Sequence, residues 1–144
     1  MHTGSSIQLS DVQAVYSGPE FELWELLMGQ QVHMGGLRAS EQLADRAGIR
    51  PGTRGVDLCC CTGAGMRFLV RLRKVQRMLG VDATTAVVEL GRQRCQREGL
   101  ADQIQFVVAD ACVTGLADGI ADFVWGEDAW CYVADKPRLV AEAA

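Results

Sequence analysis

Three carboxylates each close a short apolar run: Asp57 after Gly55-Val56, Asp82 after Leu79-Gly80-Val81, and Asp110 after Phe106-Val107-Val108-Ala109. Between the first two lies the turn Cys59-Cys60-Cys61-Thr62-Gly63-Ala64-Gly65. An apolar strand that runs into an acidic residue and a tight glycine turn builds a pocket at the carboxyl end of a parallel sheet. Gly63 and Gly65 allow the backbone to approach a ligand closely. Asp82 falls about 20 residues beyond the turn, where a carboxylate can accept hydrogen bonds from both hydroxyls of a ribose. Asp110-Ala111 can set a side chain or backbone against the edge of an adenine. Together these residues describe a site for an adenosyl ligand.

Two adenosyl ligands compete for that description. A dinucleotide carries a pyrophosphate and wants three glycines with free backbone amides. Here cysteines stand at the usual first glycines, and Asp57 precedes the turn. A carboxylate at that point repels pyrophosphate and suits a ligand with a cationic amino-acid end, which favours S-adenosylmethionine over NAD. Glu127 and Asp128, closing a fourth apolar run, read either as contacts to a cationic substrate or to the cofactor's sulfonium side, or as a solvated loop.

Positioning these residues requires alternating strands and helices. The pattern predicts strands over Thr53 to Leu58, Arg77 to Val81, Ile104 to Val108 and Ile120 to Trp125. Helices are expected from Gly65, with Phe68, Leu69, Leu72 and Val75 inward, from Thr84 or Thr85 to the stop at Gly99, and from Asp135-Lys136-Pro137 onward. Such alternation implies a Rossmann-like α/β fold, a parallel sheet with helices on both faces and ligands at the strands' carboxyl ends. Upstream, residues 1–10 read as loose. Apolar positions from Val12 to Leu27, broken at Gly18-Pro19, predict two short helices, capped first by Ser10 or Asp11. A glycine-rich loop holds His33, and a third helix runs from Leu37 to Ala47. Residues 1–50 are thus a helical cover, and 51–144 the ligand-binding domain of one structural unit.

At this point the sequence resembles a known family. Val56-Asp57-Leu58-Cys59-Cys60-Cys61-Thr62-Gly63-Ala64-Gly65 looks like the first motif of class I S-adenosylmethionine-dependent methyltransferases, usually D-L-G-C-G-T-G. Gly80-Val81-Asp82 looks like the second motif and Val108-Ala109-Asp110-Ala111 the third. Ala121 to Ala129 looks like the fourth strand and its loop, and Asp135 to Ala144 like the helix that follows. The resemblance covers residues 51–144 almost continuously, and the similar subgroup methylates small molecules, in the manner of ubiquinone-biosynthesis and glycine/sarcosine N-methyltransferases. It implies Asp57, Cys59, Gly63, Gly65, Asp82, Ala83, Asp110, Ala111 and Glu127 at the cofactor. It also implies methyl transfer from S-adenosylmethionine to a small-molecule N, O or C nucleophile. Because the family adds three more strands, only the order 3-2-1-4 is expected here, with those last three absent. Phe123, Val124 and Trp125 would then form an exposed apolar edge, to be covered in a homodimer or by a partner supplying strands. A short, non-catalytic cofactor-binding module completed in that way is the alternative reading. Cys59 and Cys61 replace motif glycines, and since a Cβ disfavours positive φ, a reshaped turn is expected.

The remaining composition bounds the function. The chain has 144 residues, a net charge of −4 and 49% apolar residues, which suits one domain with a real core. No basic field points to nucleic acid, and the cluster Arg67, Arg71, Arg73, Lys74, Arg77 reads as a solvated helix face. No apolar stretch reaches membrane-spanning length and no signal peptide is evident, so a cytoplasmic chain is expected. Six cysteines without a CxxC pair read as reduced thiols, and without histidine or cysteine partners at ligand spacing no metal is expected. No catalytic residue declares itself. His33 could orient a substrate or accept its proton, and Trp130 and Tyr132 could wall the acceptor pocket, as readily as they could simply pack. Tyr16 and Trp24 read as packing of the N-terminal helices, with a lid role as the alternative.

Overall fold

In the computed structural model, which describes residues 7–144, a four-stranded parallel sheet carries the three carboxylates to one edge. The N-terminal helices are α1 (Leu9–Ser17), α2 (Glu20–Met28) and α3 (Gly36–Arg46). Then follow β1 (Arg54–Leu58), α4 (Ala64–Leu72), β2 (Arg77–Asp82), α5 (Thr85–Arg97), β3 (Ile104–Val108), β4 (Phe123–Trp125), a 3-10 turn (Trp130–Tyr132) and α6 (Lys136–Ala143). The strand order is β3-β2-β1-β4, as the family resemblance implies. Asp57 pairs in register with Gly80 on one side and Trp125 on the other, and Asp82 pairs with Val108.

Period-two alternation splits the core between the faces. Met78, Ile104, Phe106 and Trp125 point to one face and pack under α4 and α5 with Met66, Phe68, Leu69 and Val88. Val56, Leu58 and Val81 point to the other, against Leu139 of α6 and the Ala111-Cys112 loop. Because strands buried on both faces leave no tolerance for slippage, the register fixes where each strand's last residue emerges.

Several local features depart from the sequence pattern. Leu9 and Ser10 lie within α1, whose first turn is closed by the Gln8 N–H donating to Asp11 Oδ2 at 2.9 Å. Residues 1–6 lie outside the described residues. Helix α4 starts at Ala64, because Gly63 takes φ +74° and serves as its N-cap. Strand β4 is three residues long and begins only at Phe123. Asp122 explains this: its carboxylate accepts the Arg54 N–H at 2.7 Å, a donor that a strand carbonyl would otherwise take. Among the described residues β4 is the edge strand of the sheet, as expected, paired with β1. Its side chains are nevertheless partly covered: Trp125 is buried in one core and Phe123 packs against it, while Val124 packs against the other.

The basic cluster also divides. Arg67 is only 5% exposed, Arg73 ends α4, and Arg77 opens β2, so no single solvated face carries them. In the cover, Tyr16 packs against Phe21 with ring centroids 5.7 Å apart and the rings tilted by 42°, but Trp24 is half exposed instead of packed. No described helix is long and apolar enough to cross a membrane.

Candidate functional site

The carboxyl ends of β1, β2, β3 and β4 open onto a cavity of about 330 Å³, roofed by α1 and the loop before α3. Asp57, Cys59, Gly65, Asp82, Ala83, Asp110, Ala111 and Glu127 all line it, as do His33 and Asp128. Residues separated by up to about a hundred positions in the sequence meet here because parallel crossovers return every strand to the same edge.

Asp57 is the electrostatic centre of this cavity. It is 4% exposed, and among the described residues its carboxyl has no hydrogen-bond partner. Burial raises its pKa well above the ordinary carboxylate value, and the neighbouring Glu127 and Asp82 raise it further. A site that holds an acid against its own ionisation is arranged to gain from a cation brought to it. Asp82 is oriented by the turn itself: Cys61 N–H donates to Oδ2 and Thr84 N–H to Oδ1, each at 2.9 Å. Burial raises its pKa too, with these two backbone donors opposing the rise. Both oxygens keep lone pairs for further donors. Asp110 is fixed in the same manner by the Cys112 N–H at 2.8 Å.

The glycines of the turn do different jobs. A Cβ at Gly65 would lie 3.1 Å from Trp125 Nε1 and 3.2 Å from Glu127 Oε2, so this glycine keeps the space between Asp57 and Glu127 open. Gly63 is not at the cavity wall. Its absent Cβ would fall 2.7 Å from the Phe106 ring and 2.8 Å from Met66 Cε, so Gly63 serves packing and its left-handed backbone. Cys59 and Cys61 hold φ of +64° and +50°. The turn therefore keeps the left-handed geometry in spite of two Cβ atoms, at a cost of about 1–2 kcal/mol for each.

Two contacts tie the roof to the β4 loop. His33 donates from Nδ1 to the Met34 carbonyl at 3.1 Å, which leaves Nε2 to Ser40 Oγ at 3.1 Å and Glu127 Oε1 at 3.5 Å. Met34 N–H donates to Asp128 Oδ2 at 3.0 Å. Trp130 does not line the cavity; its indole N–H donates to the Leu58 carbonyl at 3.2 Å and its ring packs on the Val56–Leu58 core. Tyr132 does line it, and so does Tyr16, whose hydroxyl burial pushes up to about 12.

Sequence reasoning missed the cationic support beneath the turn. Arg67 donates to the Thr62 carbonyl at 2.7 Å and to Gln30 Oε1 at 2.9 Å, and burial lowers its pKa. Arg94 reaches Thr62 Oγ1 at 3.3 Å. A signal for Arg67 existed: it sits among Met66, Phe68, Leu69 and Val70, consecutive residues too apolar for a solvated helix face.

The thiols test how closed the turn is. Burial pushes Cys59 up to about 12 and raises Cys60, Cys61 and Cys95, while Cys131 is exposed. Since the thiolate is the reactive form, one thiol per chain is expected to react quickly with Ellman's reagent at pH 8. Fast release of three or more equivalents would mean that the cysteine turn opens in the native state.

Comparison with known proteins gives the same architecture. A family profile described as "Methyltransferase domain" matches residues 56–144, more than half of the chain. Methyltransferase GfsG of Streptomyces halstedii is 28% identical over 109 residues, 76% of this chain and 39% of that protein. Phosphoethanolamine N-methyltransferase 1 of Arabidopsis thaliana is 26% identical over 117 residues, 81% of this chain and 23% of that protein. The chain thus spans well under half the length of these curated relatives. Among solved structures, Haemonchus contortus phosphoethanolamine N-methyltransferase 2 in complex with S-adenosyl-L-methionine superposes with a TM-score of 0.84 at 22% identity. That match covers 96% of this chain and 33% of the other.

Proposed function

This chain belongs to the methyltransferase domain family, and from that premise we propose that it binds S-adenosylmethionine and directs its methyl group to a small-molecule nitrogen, oxygen or carbon nucleophile. The observation that carries the reading is Asp57, a buried carboxyl held above its usual pKa beside Glu127, with no cation opposite it among the described residues. The donor set fits the cofactor. Asp57 and Glu127 would take its ammonium end across Gly65, Asp82 its ribose hydroxyls, and Asp110-Ala111 its adenine. A pyrophosphate would meet Asp57 instead of a cation, which disfavours a dinucleotide.

When bound, S-adenosylmethionine supplies a methyl already activated by its sulfonium. The chain's task is then alignment and exclusion of water. Here α1 and the His33 loop roof the cavity and the β4 loop closes its side through Glu127 and Asp128. His33 Nε2, engaged by Ser40 and Glu127, is the group available to hold a proton if the acceptor arrives protonated.

Titration calorimetry with S-adenosylhomocysteine and NAD tests the first part. Binding of the former and not the latter is expected, and no binding of S-adenosylhomocysteine would remove the reading. A labelled-methyl assay over amine, phenol and quinol panels then assigns the nucleophile.

A pH dependence follows from Asp57. The ligand ammonium favours the ionised carboxylate, so binding releases the proton that the free site holds. Affinity is therefore expected to fall as pH drops through the raised Asp57 pKa, by up to about tenfold per pH unit. Calorimetry in two buffers of different ionisation enthalpy should register that released proton; an identical heat in both would remove this assignment.

A further inference from the structure

Two guanidinium groups connect the cover to the cysteine turn, and both do so through Thr62. Arg67 holds the Thr62 carbonyl with one nitrogen and Gln30 Oε1, in the loop before α3, with another. Arg94 of α5 touches the Thr62 hydroxyl and forms a two-point ion pair with Glu25 of α2, its Nη2 lying 2.6 Å from Glu25 Oε2. Thr62 is 1% exposed and sits between Cys61 at φ +50° and Gly63 at φ +74°. The turn around it thus carries strain at two non-glycine residues, Cys61 and, three residues before Thr62, Cys59 at φ +64°. Strain of this kind persists only where the surroundings over-determine it. Here the surroundings include the cover: its anchors at Glu25 and Gln30 complete the hydrogen bonding of the arginines that grip the turn. Cys61 in turn orients Asp82 through its N–H, so the chain of contacts runs from α2 to a cavity carboxylate.

We propose that Arg94 and Arg67 are positioning residues that couple the seating of the N-terminal cover to the shape of the cofactor turn. The Glu25–Arg94–Thr62 relay is the more separable of the two, because Arg94 is less deeply placed than Arg67. When the cover lifts, Arg94 loses its carboxylate and the turn loses a restraint; when the cover seats, the turn and Asp82 are fixed for the ligand. This rests on the cofactor reading above.

A double-mutant cycle tests the coupling. Glu25→Gln removes the carboxylate and Thr62→Val removes the hydroxyl with little change in shape. Each alone is expected to weaken S-adenosylhomocysteine about tenfold, and the double variant also by about tenfold instead of about a hundredfold, because contacts in one network are not additive. A role in stability alone would shift melting temperatures without that non-additivity in affinity. Hydrogen exchange on the free chain supplies a readout without ligand: Glu25→Gln is expected to speed exchange of the Cys61 and Gly63 amides. Additive losses, or unchanged turn exchange in Glu25→Gln, would overturn the proposal. If the parent chain binds no S-adenosylhomocysteine, the cofactor reading fails, and the exchange experiment still decides the coupling.

Discussion

Asp57→Asn is expected to weaken S-adenosylhomocysteine binding by roughly 30-fold, about 2 kcal/mol, the scale of a hydrogen bond to a charged group. The same change is expected to make the free chain more stable. Burial and the nearby Glu127 and Asp82 raise the folded-state pKa of Asp57. The folded chain therefore binds more protons at this position than the unfolded chain between the two pKa values. Stability from this group is full at low pH and is lost as pH rises from the unfolded value through the folded one. Asparagine cannot ionise, so its advantage should grow with pH and reach on the order of 1 kcal/mol by pH 8. Thermal melts at pH 5 and pH 8, set beside calorimetric titrations, separate these effects. A variant that loses stability at pH 8 would show that Asp57 is ionised and satisfied without a ligand, and one that binds like the parent would show that Asp57 does not contact the ligand.

Gly63→Ala is expected to destabilise the fold by about 3 kcal/mol, the sum of a left-handed backbone penalty and overpacking. The added Cβ would enter the space of the Phe106 ring and Met66 Cε, at 2.7 and 2.8 Å. Neither neighbour can withdraw easily, since Met66 is fully buried and Phe106 packs in the same core. Urea unfolding measures the loss. The contrast with Gly65→Ala is informative, because its Cβ would stand 3.1–3.2 Å from Trp125 Nε1 and Glu127 Oε2 at the cavity wall. Gly65→Ala should therefore impair ligand binding more than stability. If the two variants behaved alike, the division between a packing glycine and a cavity glycine would be wrong.

Much of the site was legible in the residues alone because it is local. A strand that ends in an acid must release that acid where the strand ends, and parallel connection puts all such ends on one edge. Asp57, Asp82 and Asp110 could be placed that way, whereas the strand order follows from the family resemblance, since right-handed crossovers alone allow more than one order. The cavity lining by Ala83, Ala111 and Glu127 follows from the same rule. What misled was any inference from residue type without partners. The arginines after the turn looked like a solvated face, yet Arg67 is inside, holding Thr62 and Gln30. For Trp130 the residue type left wall and packing equally open, and only its partners decide: it hydrogen-bonds the Leu58 carbonyl and packs with the Val56–Leu58 core. Asp122 read as part of a strand, yet its carboxylate replaces a ladder partner and shortens β4.

The sequence by itself determined the period of each element and the acids at the strand ends. Those depend on backbone geometry and on neighbours within a few residues. Only the tertiary structure decided that Asp57 is buried beside a second carboxylate with no cation opposite among the described residues, because Glu127 arrives from the loop after β4, about seventy residues away. It also decided that the cysteines keep the turn left-handed. That outcome depends on contacts from α2, α5 and the loop before α3 outweighing a local preference, and no local pattern encodes such a balance.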